Sequence, residues 1–94
     1  MDGEADCARA LMHAFAVRTG LEGEAPPRRY LWTDAFAVCN FLALHDLGRA
    51  ARLVEQVHHV LGRERDDAPR HGWLGGRDEV EGVRHPTAAG LRIG

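Results

Sequence analysis

The segment AFAVCNFLAL, residues 35–44, constrains the fold more than any other part of the chain, because Asn40 is its only polar residue. In a helix, such a segment places apolar groups nearly all round the cylinder. A helix of that kind is stable only where neighbours cover every side. We predict this helix over 34–47, with Thr33 as its N-cap and Gly48 as the residue that ends it.

Two further helices flank this central one in the sequence. The first is predicted over 4–18 and is closed by Gly20, and the third is predicted over 49–61. Their apolar positions recur at helical spacing, at Ala8, Leu11, Met12 and Phe15 in the first helix and at Ala50, Leu53, Val54, Val57 and Leu61 in the third. Because each helix is apolar on one face only, the two together cover two sides of the central helix.

The remainder of the chain, residues 62–94, is rich in glycine and contains Pro69 and Pro86. This composition favours a loop, and a loop longer than about 12–15 residues is unusual in a compact domain. A short strand over 91–93 is the one further element that we predict. We therefore expect an all-α fold made of helical hairpins, with a long Gly-rich C-terminal loop.

Length and charge exclude several classes of partner. A chain of 94 residues forms one small domain. Its 12 basic residues, all arginine, and its 14 acidic residues give a net charge of -2, so neither nucleic acid nor a membrane is an expected partner. The acidic N-terminus is unlike a secretory signal, and we expect a cytoplasmic protein. Cys7 and Cys39 lack C-x-x-C spacing and are expected to be buried free thiols.

Three strings suggest a family. RRYLWTDAFAVCNFLAL at 28–44, ARLVEQVHHVLGRERDDAPRHGWLGG at 51–76 and HPTAAGLRIG at 85–94 resemble the N-terminal portion of bacterial six-hairpin glycosidase-like proteins, which fold as an (α/α) toroid. The resemblance implies that the chain is a fragment of such a toroid, with three helices where a full ring has about twelve. The central helix would belong to the inner ring, and the Gly-rich loop would cross the cavity mouth.

This resemblance also implies a carbohydrate-related function, in which the fragment alone is inactive. Asp34 would then be the catalytic carboxylate, and Trp32 and Trp73 would bind sugar rings by stacking. It implies no metal and no cofactor. A structural interpretation of the same residues stays open, because an Asp in a first helical turn is stabilised by the macrodipole and a Trp before a helix packs as a staple.

Two alternatives come from other features of the same helix. LALHDLGR at 42–49 is similar to the His-Asp signature of HD-domain phosphohydrolases, which implies that His45 and Asp46 bind a divalent metal together with an upstream histidine such as His13. The last alternative is a non-catalytic helical interaction module. An apolar helix surface that the chain leaves exposed would then mediate self-association.

Overall fold

The computed structural model describes residues 2–94, and the fold is all-α, as the sequence predicts. It contains α1 (Asp2–Arg18), α2 (Leu31–Ala43), α3 (Leu47–Leu61), a single 3₁₀ turn (Leu74–Gly76) and the short α4 (Glu79–Arg84). Within the described residues no strand forms, so the strand predicted over 91–93 is wrong.

The core lies between α2 and α3, which pack as a helical hairpin. Phe41, Leu53 and Leu61 are at most 1% exposed and form its centre. The apolar stripe predicted for α3 is confirmed at four of its five positions, and Val54 is the exception because it is 38% exposed. The remaining buried apolar side chains of this cluster are Ala16, Leu21, Ala37, Ala50 and Val57.

The predicted end of the central helix is wrong, because a turn at residues 44–46 separates α2 from α3. His45 adopts a left-handed conformation with φ 59°. Its N–H donates to the Leu42 carbonyl at 3.0 Å, and the Asp46 N–H donates to the Phe41 carbonyl at 2.8 Å. These two bonds are the Schellman pattern that closes a helix. Gly48, predicted to end the central helix, instead lies in the first turn of α3.

The predicted N-cap at Thr33 is wrong as well. The helix begins earlier, after Tyr30, which is extended with φ −137° and ψ 119°. The Thr33 hydroxyl donates to the Tyr30 carbonyl at 3.2 Å, inside the first turn. The backbone N–H of Tyr30 donates to the Asp34 carboxylate at 2.9 Å, so the carboxylate four residues on satisfies a donor that the helix itself leaves free.

α1 contacts the hairpin through one part of its predicted face. Met12 and Phe15 pack against the core cluster, whereas Leu11 is 67% exposed, contrary to its predicted place on the apolar face. Gly20 closes the helix as predicted, with φ +77°. A Cβ at this position would lie 2.5 Å from the Pro26 carbonyl oxygen. The turn therefore requires glycine both for its positive φ and for the lack of space around it.

The C-terminal third is more ordered than the predicted loop. α4 has Asp78 as its N-cap, whose side chain accepts the Glu81 N–H at 2.9 Å. The last residues bind the hairpin through the main chain, because the Leu31 N–H donates to the Ile93 carbonyl and the Arg92 N–H donates to the Leu61 carbonyl, each at 2.7 Å.

Candidate functional site

Asp34 lies inside the protein, where it forms a buried ion pair with Arg29. The two side chains are 1% and 0% exposed, and Arg29 Nε lies 3.6 Å from Asp34 Oδ2. Arg29 Nε also donates to the Arg28 carbonyl at 2.8 Å, and Arg29 Nη2 donates to the Thr19 carbonyl at 3.0 Å. The pair thus joins the start of α2 to the end of α1.

Burial dominates the electrostatics of this pair. Removal from water raises the pKa of the Asp34 carboxyl, while the positive charge of Arg29 and the Tyr30 hydrogen bond oppose the rise. The same burial lowers the pKa of the Arg29 guanidinium. A raised carboxyl pKa is typical of general acids, but a substrate reaches such a group only where the protein leaves it accessible.

Trp32 and Asp34 lie on opposite faces of α2. Two residues along a helix are about 200° apart, so side chains at i and i+2 do not meet. Asp34 points to the core, and Trp32 is 62% exposed on the outer face. The structure therefore does not bring together the two residues that the sequence analysis pairs in a sugar site.

Trp32 belongs to an exposed apolar row on α2, which we call the outer stripe. Its members follow helical spacing along the side opposite the core, and they are Trp32, Phe36, Cys39 and Ala43. Phe36 is 71% exposed and Cys39 is also exposed. The flanking helices are expected to cover two sides of the central helix only, and the outer stripe is a side that they leave exposed. The expectation that both cysteines are buried is wrong too, because Cys7 is exposed like Cys39.

Trp73 is 4% exposed, far from Trp32 in the sequence and in a different environment. Arg63 Cζ lies 4.3 Å from the centroid of its ring, and the His59 ring meets it edge-on at 5.7 Å. Its indole N–H donates to Glu79 Oε2 at 3.0 Å. A sugar could stack on this ring only after these neighbours move, and in the present conformation Trp73 fixes α4 to the end of α3.

The His45-Asp46 pair performs helix capping. His45 is exposed in the turn, and the Asp46 carboxylate caps α3 by accepting the Arg49 N–H at 3.1 Å and the Arg49 Nη1 at 2.7 Å. These bonds lower the pKa of the Asp46 carboxyl. His13 and Asp46 line one small cleft of about 80 Å³. Among the described side chains, no group of three His, Cys, Asp or Glu is placed to hold a metal ion.

Two features of the structure were not predicted at the level of named residues. One is Arg29, whose role follows from a general rule: a carboxylate that faces the core requires a buried partner. The other is the outer stripe, which the spacing i, i+4, i+7 and i+11 from Trp32 predicts once the helix is taken to begin before that residue.

Comparison of the chain with protein-family models, with curated proteins and with solved structures finds no match. None of the helices that the structure describes is long and apolar enough to cross a bilayer.

Proposed function

We propose that this chain is a non-catalytic helical module that self-associates, with the outer stripe of α2 packing against the same stripe of a second copy. The observation that carries the proposal is the exposure of the stripe: its two aromatic side chains are 62% and 71% exposed although they lie on the most apolar helix of the protein. Contiguous apolar surface of this kind is typical of interaction sites.

The order of side chains along the stripe fits an antiparallel pair. Its N-terminal half carries the large residues Trp32 and Phe36, and its C-terminal half carries the small residues Cys39 and Ala43. A two-fold axis between the halves places Trp32 against Ala43 of the second copy, and Phe36 against Cys39. Large groups then pack on small ones, which is the arrangement that fills a helix interface.

Charge does not oppose this pairing. The only ionisable carboxylate or cation in α2 is Asp34, which faces the core of its own chain. Two outer stripes can therefore approach without bringing like charges of α2 together. No charged side chain of the stripes loses its hydration in the interface.

The expected affinity is low because the stripe is small. Aromatic side chains bury about 150–250 Å² each, so the exposed parts of Trp32 and Phe36 contribute roughly 600 Å² in a dimer. Stable interfaces bury about 1,200–2,000 Å². We expect a dissociation constant of about 0.1–1 mM.

Sedimentation velocity over a concentration series tests the proposal. The wild-type protein should show a sedimentation coefficient that rises with concentration, and Trp32→Ser should weaken association at least about tenfold because each dimer loses its two largest aromatic groups. Val80→Ser is the matched control, since Val80 is 66% exposed on α4 and outside the outer stripe. Equal association of the wild type and Trp32→Ser contradicts the proposal.

The carbohydrate-related function is a second candidate, and it concerns a longer protein with a complete toroid. It rests on the resemblance of residues 28–44, 51–76 and 85–94 to that family, whereas the burial of Asp34 beside Arg29 opposes it. In a full-length relative, Asp34→Asn and Trp32→Ala should each reduce the affinity for oligosaccharides in calorimetric titration. Unchanged affinity in both variants eliminates this candidate.

A further inference from the structure

A groove of about 440 Å³ runs between α1 and α2, next to the outer stripe, with which it shares Phe36. Its floor is apolar, with Met12 and Phe15 from α1 and Ala37 from α2, and Phe36 forms its outer edge. This volume is within the range of small-molecule sites, about 300–1,000 Å³.

One end of the groove is cationic. Arg18, Arg28 and Arg29 all line it there. Among the described side chains no carboxylate lies within 4 Å of the charged groups of Arg18 or Arg28. Asp34, which also lines the groove, pairs with Arg29. Three positive charges against one negative charge leave this end with a net charge of +2.

Phe15 links the cationic end to the apolar floor. Arg18 Cζ lies 5.8 Å and Arg29 Cζ lies 5.9 Å from the centroid of the Phe15 ring. Both guanidinium groups are thus held beside the aromatic floor by cation–π attraction. A ligand whose apolar body covers Phe15 brings its head group to these arginines.

Two buried polar atoms at the same end have no hydrogen-bond partner among the described residues. They are Arg29 Nη1, on a side chain that is 0% exposed, and Thr19 Oγ1. Both residues line the groove. A buried donor without a partner is destabilising, so an acceptor that reaches these atoms gains hydrogen bonds that the protein alone does not supply.

We propose that this groove binds a small amphiphilic anion: one carboxylate head group held by the arginine cluster, with an unbranched apolar chain lying on Met12, Phe15 and Ala37. The carboxylate accepts from Arg18 and Arg28 at the surface. A small inward movement brings it within reach of Arg29 Nη1 and the Thr19 hydroxyl. The ligand needs both parts, because the arginines attract an anionic head group and repel a cationic one, and Met12, Phe15 and Ala37 offer apolar contact along the floor.

NMR titration with octanoate, 1-octanol and octylammonium tests this inference. These probes share one chain length and differ in head-group charge. The protein carries Trp32→Ser, which lies outside the groove, so self-association does not contribute to the shifts. We expect octanoate to shift the amide signals of Met12, Phe15 and Ala37, 1-octanol to bind at least about fivefold more weakly, and octylammonium to leave the signals unchanged.

Matched variants test whether octanoate binding depends on the arginines of the groove or on the overall charge of the protein. The double variant Arg18→Gln with Arg28→Gln should weaken octanoate binding by about tenfold and leave 1-octanol binding unchanged. Arg70→Gln with Arg77→Gln removes the same charge from exposed residues outside the groove and should leave both unchanged.

Any of three results overturns the inference. They are equal affinity for octanoate and 1-octanol, octanoate binding that survives loss of Arg18 and Arg28, and octanoate shifts confined to residues outside the groove. A partial loss of folding in the double variant is detected by its amide spectrum. In that case the single variant Arg28→Gln, at an exposed loop residue, decides the outcome by the same comparison.

Discussion

The contact between Gly82 and Trp73 gives the sharpest stability prediction, because two effects of opposite sign compete there. Gly82 lies in α4, and a Cβ added to it would lie 2.2–2.4 Å from three atoms of the Trp73 ring. The ring cannot easily move away, since Arg63 covers it and its N–H is bonded to Glu79. Gly82→Ala therefore forces a methyl group into a filled space.

The relative size of the two effects decides whether Gly82→Ala stabilises or destabilises the protein. Replacing glycine with alanine inside a helix stabilises by about 1 kcal/mol through propensity. Overpacking a filled core destabilises by about 1–3 kcal/mol, and a Cβ within 2.4 Å of three ring atoms belongs to the upper part of that range, about 2–3 kcal/mol. We expect Gly82→Ala to lower the free energy of unfolding by about 1–2 kcal/mol, which lowers the Tm by roughly 5–15 °C in a domain of this size.

Gly48→Ala is the matched control. Gly48 is also helical, in the first turn of α3, but a Cβ there meets no atom of the described residues within 4 Å. This variant should raise the Tm by a few degrees through propensity alone. Thermal unfolding followed by circular dichroism measures both. If Gly82→Ala raises the Tm as much as Gly48→Ala does, the packing of Trp73 on α4 described above is incorrect.

Three further predictions concern α2 and its turn. His45→Gly should stabilise the protein by about 0.5–1 kcal/mol in chemical denaturation, because His45 has φ 59° and glycine adopts that conformation without strain. A loss of stability in this variant contradicts the Schellman turn. Asp34→Ala should lower the free energy of unfolding by about 3–5 kcal/mol, since it leaves Arg29 charged and buried; a change below about 1 kcal/mol means that the pair is solvated. The folded-state pKa of Asp34 is raised above its usual 3.8, so the folded protein binds the proton more tightly than the unfolded chain does. The contribution of this carboxyl to stability should therefore fall as the pH rises from 3.8 through the raised pKa. Denaturation of the wild type and Asp34→Asn over this acid range should show the wild type losing stability relative to the variant as the pH rises, and the opposite slope refutes the direction of the shift.

Periodicity predicted the interior of the helices better than their ends. The stripe of α3 repeats at regular spacing, so four of its buried positions follow from the sequence alone. The end of α2 does not, because a histidine occupies the left-handed position where glycine is usual. Gly48 follows three residues later and is misleading as a stop signal, since it lies inside the next helix.

The candidate site was predicted less well because its contacts are not local in sequence. Trp32 and Asp34 are two residues apart, and only the true start of the helix at Leu31 shows that they face opposite ways. The burial of Trp73 depends on Gly82, nine residues later and in a helix of six residues that has too few positions for a periodic pattern. Neither relation is contained in a local pattern.

The antiparallel association of two outer stripes is tested most directly by isotope-filtered NMR on an equal mixture of labelled and unlabelled protein at millimolar concentration. Only contacts between different copies appear in such a spectrum. We expect intermolecular NOEs between the Trp32 indole protons of one copy and the Ala43 methyl group of the other, because the two-fold arrangement packs the large end of each stripe on the small end of its partner. NOEs between Trp32 and Trp32 of the second copy contradict the antiparallel arrangement, and a spectrum without intermolecular NOEs from the outer stripe contradicts self-association through this face.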